Sequence, residues 1–409
     1  MILDFPGGVT PPERTRCGKT DIQRTELASA ACIRVPEGAG FSVCFPAGGI
    51  AARGELLGHI GETPVYSPLC GEFRGVPHIS GAAYFTVVAA GSLPDAPGSA
   101  PEEKGITEMD GAYIAARARE LGIIDSRSGR PLHELLEAKE SYKRVVVDCT
   151  ESDPASAINY RICLEKADAL INGTKLLIRA TGALRGVIAA EHYRTRALRS
   201  AAALIADEKL IALGAVAEKY PVPDESLMYA LYGRELARGE SAADAGVLIV
   251  GAECAAALYE AMLTGRPQTE RLISVCGEGV VHERNLRVPR GATLHDVLAA
   301  CGGMKRGAFA IENSLLRGRV INDVVSDSCR AVICAFPHKK PVSECVGCGE
   351  CVSACPMRLV PRYAAYGIKK SLLSEYCIGC GACEYICPSG IPLVSLIKRG
   401  VKPAAEETK

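Results

Sequence analysis

Cys345-Val-Gly-Cys-Gly-Glu-Cys-Val-Ser-Ala-Cys-Pro356 and Cys377-Ile-Gly-Cys-Gly-Ala-Cys-Glu-Tyr-Ile-Cys-Pro388 are two copies of one pattern, C-x2-C-x2-C-x3-C-P. Thiolates at these spacings, each run closed by a proline, are the ligand pattern of [4Fe–4S] clusters, and two runs call for two clusters. The first three cysteines of one run share a cluster with the fourth of the other. One ligand set is therefore Cys345, Cys348, Cys351 and Cys387, and the second is Cys377, Cys380, Cys383 and Cys355. Gly347, Gly349, Gly379 and Gly381 let backbone N–H groups approach the sulfides, and Pro356 and Pro388 turn the chain away. A pair of zinc sites is the alternative use of eight cysteines. Zinc motifs supply cysteines in twos and need neither the third C-x2-C step nor the trailing proline.

The remaining residues are globular in character. The chain has 409 residues, 48% hydrophobic and 23% charged, with zero net charge. That length gives about two to four domains. The charge balance gives no electrostatic reason to expect nucleic acid or a membrane surface as partner. Nineteen cysteines in a long chain point to metal ligation in a reducing cytoplasm rather than to a disulfide scaffold. The opening Met1-Ile-Leu-Asp-Phe-Pro-Gly-Gly lacks the basic and apolar regions of a signal peptide. No apolar run approaches the ~18 residues of a membrane span. A cytoplasmic location is expected, and any place at the inner face of the membrane would come through a partner.

Outward from the cysteines, the chain reads as an α/β multidomain protein. Residues 1–95 are short strands and turns. Gly54, Leu56-Leu-Gly58 and Val65-Tyr-Ser-Pro68 resemble a lipoyl-type barrel-sandwich hybrid, with no lysine at the hairpin tip to carry a swinging-arm cofactor. Ser92 to Gly105, rich in Pro, Gly and charge, is a linker. Residues 106–265 alternate strand and helix, which implies a Rossmann-like layer with parallel strands. Its expected helices are Ala112–Leu121, Ala157–Asn172, Arg196–Leu213 and Ala252–Leu263. Its expected strands are Arg144–Asp148, Lys175–Ala180 and Gly246–Val250. Residues 266–340 form a β-grasp unit, with Thr293 as a helix N-cap and 304–340 returning as strands to the domain before. An α-helical dicluster ferredoxin follows over 341–400, and 401–409 is a polar tail expected to be disordered.

With both ends read, the chain resembles the RnfC family, a component of the Rnf electron-transport complex. Phe5-Pro-Gly-Gly-Val-Thr-Pro-Pro-Glu13 is similar to that family's opening. Lys219-Tyr-Pro-Val-Pro through Gly233-Arg-Glu235, Tyr259 through Pro267, Arg271 through Gly277, Cys355 through Pro361 and Cys387 through Val394 continue the likeness. The resemblance implies a barrel-sandwich domain, a domain like the flavin-binding subunit of respiratory NADH dehydrogenase, a soluble-ligand-binding β-grasp (SLBB) and a dicluster ferredoxin. It also implies NADH oxidation through FMN, and here this sequence departs from its relatives.

The glycine-rich phosphate loop of the family corresponds to Gly122-Ile-Ile-Asp-Ser-Arg-Ser-Gly-Arg-Pro131, in which only Gly122 and Gly129 remain. Asp125 adds negative charge where a phosphate would sit, partly offset by Arg127 and Arg130. The second signature is Val147-Asp-Cys-Thr-Glu-Ser-Asp-Pro154, keeping Glu151. The third is Val250-Gly-Ala-Glu-Cys-Ala255, with Glu253 and Cys254 in place of a glycine and a threonine. Gly122, Gly129 and Glu151 are thus the remnants of a cofactor site, and FMN and NADH binding is expected to be lost or much altered. This combination resembles the RnfC-like proteins associated with amino-acid reductases, the proline-reductase-associated PrdC type. The resemblance implies an electron-transfer role between an Rnf-type complex or soluble donor and a partner reductase. The alternative is an FMN-dependent NAD(P)H-oxidising subunit of an Rnf-type or corrinoid-reducing complex.

No histidine pair has metal or triad spacing. Cys149 and Cys254 read as packed thiols, with a redox or ligand role as the alternative. Glu151 and Asp153 read as loop polar groups or helix-capping charges.

Overall fold

A computed structural model describes residues 2–10, 17–25, 28–79, 81–99, 109–206, 208–338, 340–366, 368 and 375–398. The expected polar tail 401–409 and part of the expected linker lie outside them.

Strand β1 (Ile22–Arg24) leaves the segment that precedes it in sequence and joins a sheet built from residues far along the chain. Next come β2 (Ala30–Arg34), β3 (Phe41–Val43), β4 (Ile50–Ala51), β5 (Leu56–Ile60), β6 (Thr63–Tyr66), β7 (Gly71–Phe73), β8 (His78–Ile79) and β9 (Ala82–Ala89). They form a five-stranded sheet, β2-β9-β7-β4 with β8 on β9, and a three-stranded sheet, β3-β5-β6. Between them lies an apolar core of Ile33, Leu57, Phe73 and Phe85. The Phe73 and Phe85 rings stack at 6.2 Å.

The α/β unit begins with α1 (Gly111–Glu120) and α2 (Leu132–Glu137). Then follow β10 (Arg144–Asp148), α3 (Ile158–Glu165), α4 (Ala167–Thr181), β11 (Arg185–Glu191), α5 (Thr195–Leu204), β12 (Ile211–Val216), α6 (Asp224–Tyr232), β13 (Val247–Gly251) and α7 (Ala252–Thr264). The four strands are parallel in the order β12-β11-β10-β13. β10, β13, α1 and α7 lie within a residue or so of their sequence-based positions.

Three expectations are corrected. Lys175–Ala180 is not a strand but part of α4. Leu176, Leu177 and Ile178 are all buried because α4 packs on both α7 and the sheet, leaving only a narrow outer stripe of Asp168, Asn172, Lys175 and Arg179, so the short apolar run read alone resembles a strand. The strand is instead Arg185–Glu191, whose Gly and Ala residues carry little strand propensity. Arg196–Leu213 is not one helix: α5 ends at Leu204, and Ile211–Val216 pairs with β11. Ala157–Asn172 is likewise two helices, divided at Lys166.

Strands β14 (Glu270–Cys276) and β15 (Arg284–Pro289) precede α8 (Leu294–Ala299). Thr293 caps α8, its hydroxyl accepting from Asp296 N at 3.1 Å. Strands β16 (Phe309–Glu312), β17 (Val320–Ile321) and β18 (Ala331–Ala335) complete a six-stranded sheet, β1-β15-β14-β18-β16-β17. Residues 304–340 therefore return to β14 and not to the parallel sheet. Among the described residues the last unit has four short helices, Glu350–Ser353, Arg362–Ala365, Ala382–Ile386 and Leu393–Lys398. Among the described residues no helix is long and apolar enough to cross a membrane.

Candidate functional site

Open parallel sheets receive ligands outside the carboxyl ends of their strands, at the crevice where strand order reverses. Here β11 and β12 lie to one side of β10 and β13 to the other, so the crevice falls between β10 and β13. Asp148 ends β10, Glu191 ends β11 and Gly251 ends β13.

The loop after α1 fills that crevice. Asp125 accepts a hydrogen bond from Gly251 N at 2.7 Å, and others from Ser128 N and Oγ at 2.8 and 2.7 Å. Gly251 is the N-cap of α7, so the Asp125 carboxylate occupies the positive end of that helix. A Cβ on Gly251 would lie 2.3 Å from Ser126 Oγ, so loop and strand are in direct contact. Arg127 spans the opening, bonding Asp148 through Nε at 2.7 Å and pairing with Asp224 of α6. Burial pulls the Arg127 pKa down, but Asp224 and Asp148 outweigh it and raise it. Arg130 turns away to Glu134. A flavin phosphate would need free N–H groups at this helix end. The protein's own carboxylate holds one of them, so the crevice does not fit FMN as it stands.

The three remnants of the cofactor signature have different immediate neighbours. Gly122 (φ +62°) closes α1 and packs on Tyr66 of β6. Gly129 (φ +74°) packs against Ser328. Glu151 caps α3, accepting from Tyr160 N at 2.9 Å and Ser156 Oγ at 2.8 Å. Asp153 bonds Ala155 N and, across to the six-stranded unit, Leu315 N at 2.9 Å. Glu253 serves the same junction. Its Oε1 accepts from Leu272 N at 2.9 Å and its Oε2 faces Arg271 Nη2 at 3.2 Å, both groups buried. Burial raises the Glu253 pKa, and Arg271 opposes that rise. Cys149 bonds Cys163, which with burial raises its pKa, and burial raises that of Cys254. Both are held as thiols.

Glu191 carried no signal in the sequence reading. It is buried, it accepts from Glu151 N at 2.7 Å, and its Oε2 has no hydrogen-bond partner. Burial, then the charge of Glu151, pushes its pKa up to about 8. Beyond Asp148 a cavity of about 370 Å³ lies where three units meet, lined among others by Tyr220, Arg317, Arg330 and Ile378. Arg330 Nε and Nη1 are buried there without hydrogen-bond partners, and burial lowers its pKa.

Ile378 leads to the cysteines. In both runs the glycines take positive φ: Gly347 +71° and Gly349 +82°, Gly379 +65° and Gly381 +81°. Gly349 and Gly381 each N-cap the short helix that carries the third cysteine. An L side chain would be strained at these four positions, which accounts for the repeated C-x-G-C-G. Cys345, Cys348, Cys351 and Cys387 line one small cavity, with Val346, Arg362 and Ile391. Cys355, Cys377, Cys380 and Cys383 are also neighbours. Burial raises the Cys383 pKa, and Cys380, Cys377 and Cys355 add to that rise. Each set takes its fourth cysteine from the other run. Among the described residues no three His, Cys, Asp or Glu side chains converge tightly enough for a single metal ion. A cubane is larger than an ion and needs ligands further apart, and two sets of four thiols fit that need.

Residues 119–260 match the model of the Nuo51 FMN-binding domain, and 344–391 that of the 4Fe-4S dicluster domain. The chain is 26% identical over 323 residues to the RnfC component of the Na(+)-translocating ferredoxin:NAD(+) oxidoreductase complex of Acetobacterium woodii, covering 75% of this chain and 73% of that protein. Two crystal structures of NAD+-reducing [NiFe]-hydrogenase, air-oxidised and H2-reduced, align with TM-scores of 0.47 and 0.49 at 15% and 14% identity. They cover 65% and 74% of this chain, which spans 54% and 64% of the hydrogenase chains. A match to the Nuo51 FMN-binding domain, a match to the 4Fe-4S dicluster domain after it and a similarity to an RnfC relative along three quarters of the sequence together fit an RnfC-like iron–sulfur protein.

Proposed function

We propose that the protein carries electrons through two [4Fe–4S] clusters between an Rnf-type complex, or a soluble donor, and a partner reductase. Its FMN and NADH site has been given up. The ligands are Cys345, Cys348, Cys351 and Cys387 for one cluster, and Cys377, Cys380, Cys383 and Cys355 for the other. The observation that carries the reading is the contrast between two intact sets of four thiols and a crevice closed by Asp125. The units are a barrel-sandwich hybrid (1–95), a Rossmann-like domain (106–265), an SLBB-type β-grasp (266–340) and a dicluster ferredoxin (341–400). The first and third supply docking surfaces. The partner reductase is of the amino-acid reductase class, and association with a membrane is peripheral, through the complex. The match of 119–260 to an FMN-binding domain keeps a second reading in play, an FMN-dependent NAD(P)H-oxidising subunit.

Anaerobic purification separates the two. The first reading expects about eight irons per chain with matching sulfide, no flavin and no NADH-dependent dye reduction. Stoichiometric FMN with NADH oxidation would overturn it.

A further inference from the structure

The two cysteine sets differ in what surrounds them. Among the described residues, the cavity of Cys345, Cys348, Cys351 and Cys387 is lined only by the ferredoxin unit, and Cys348 and Val346 are exposed. The other set is gripped by three distant segments. Gly8 N donates to Ala354 O at 3.0 Å, and a Cβ on Gly7 would lie 2.6 Å from the Cys355 carbonyl and Pro356 N. Leu316, from the six-stranded unit, would meet a Cβ on Gly381 at 2.9 Å. Tyr220, in the loop after β12, is 5% exposed, accepts from Ser314 Oγ at 2.7 Å and donates to Cys380 O at 2.8 Å. Val9 and Tyr220 exchange backbone hydrogen bonds at 2.8 Å, so strap and tyrosine form one clamp. Val9, Tyr220, Leu316, Ala354, Cys380 and Ala382 share one apolar cluster.

We infer that Tyr220 is a positioning residue for Cys380, and that the Cys355/Cys377/Cys380/Cys383 set is the inner, clamped site while the Cys348 set is the outer, exchangeable one. The inference rests on the proposed function. Cluster potential follows hydrogen bonding and exposure of the ligand peptide. The Tyr220 hydroxyl draws electron density from the Cys380 carbonyl, so its removal lowers the potential of the inner site alone.

The test uses the full-length holoprotein. In a Cys348→Ala background, which leaves the inner site, Tyr220→Phe moves the midpoint potential downward in an EPR-monitored titration. Ser314→Ala, which frees the same hydroxyl from its donor, changes it too. An iron chelator removes about half of the wild-type iron quickly, from the outer set, and Tyr220→Phe speeds loss of the remainder about tenfold. Unchanged potentials, or a single phase of iron release in both proteins, would overturn the inference even with clusters present. Wild-type protein without iron and sulfide would instead remove the proposed function on which it stands. If Tyr220→Phe fails to fold, the biphasic release from wild type and the Ser314→Ala titration still decide.

Discussion

Two carboxyl groups at the carboxyl edge of the parallel sheet are treated differently. Asp125 has three hydrogen-bond donors aimed at it, whereas Glu191 has one backbone donor and an orphan oxygen. Asp125→Ala leaves Gly251 N and the Ser128 donors without their acceptor, and a loss of about 1–3 kcal/mol follows, measurable by urea unfolding. For Glu191 the sign of the pH effect is set by a folded pKa of about 8 against an ordinary value of 4.5. Between those values the folded protein holds a proton that the unfolded chain has lost, so stability falls as pH rises through that window. Glu191→Gln cannot ionise and keeps the acceptor for Glu151 N. Its thermal midpoint should exceed wild type at pH 8 and converge with it near pH 4.5. A constant difference across the window would show that Glu191 is not the titrating group.

At the scale of elements, helices α4 and α7 approach so closely that a Cβ on Gly173 would stand 1.8 Å from Ala255 O. Backbone cannot yield as a side-chain tip can. Gly173→Ala should therefore destabilise by about 1–3 kcal/mol despite alanine's better helix propensity, as read from denaturant midpoints. This contact also explains what the sequence conceals. β10 is legible because Val145-Val-Val147 is a β-branched run with a polar end. α4 is hidden because its buried face is wide enough to hold the consecutive Leu176-Leu-Ile178, and β11 and β12 because Ala and Gly residues sit in strands that only their neighbours stabilise. The cysteine sets are legible because their ligands lie close together in sequence. The hydrogen bond from Tyr220 to Cys380 spans 160 positions, and no local pattern announces it. Asp125 was readable as a charge in the wrong place, but not as a plug, since its donor Gly251 lies 126 positions away.

Across the whole molecule, the junctions are polar and buried. Arg271 is 1% exposed on β14 and faces Glu253 on α7. Arg271→Met strands the carboxylate and should cost about 3–5 kcal/mol. The pair replacement Arg271→Met with Glu253→Gln should recover much of that loss, and equal unfolding midpoints for the single and double variants would refute the pairing. In the ferredoxin unit, Cys348→Ala should lower iron content to about half and leave the Cys380 site intact. Unchanged iron would show that the ligand sets are assigned wrongly.

The strap of residues 7–9 lies against Ala354 and Cys355, while β1, close behind it in sequence, completes the edge of a sheet whose other strands begin at Glu270. Chains are made from the amino end, and domains generally fold in that order. Here the strap and β1 cannot complete their pairing early, although β2–β9 pair among themselves. On the ribosome, Val9 waits for Tyr220, β1 for Asn285–Arg287 and Gly8 N for Ala354 before these hydrogen bonds can form. The clamp on Cys355 and Cys380 therefore closes only once Gly8, Tyr220 and the cysteine runs are all present.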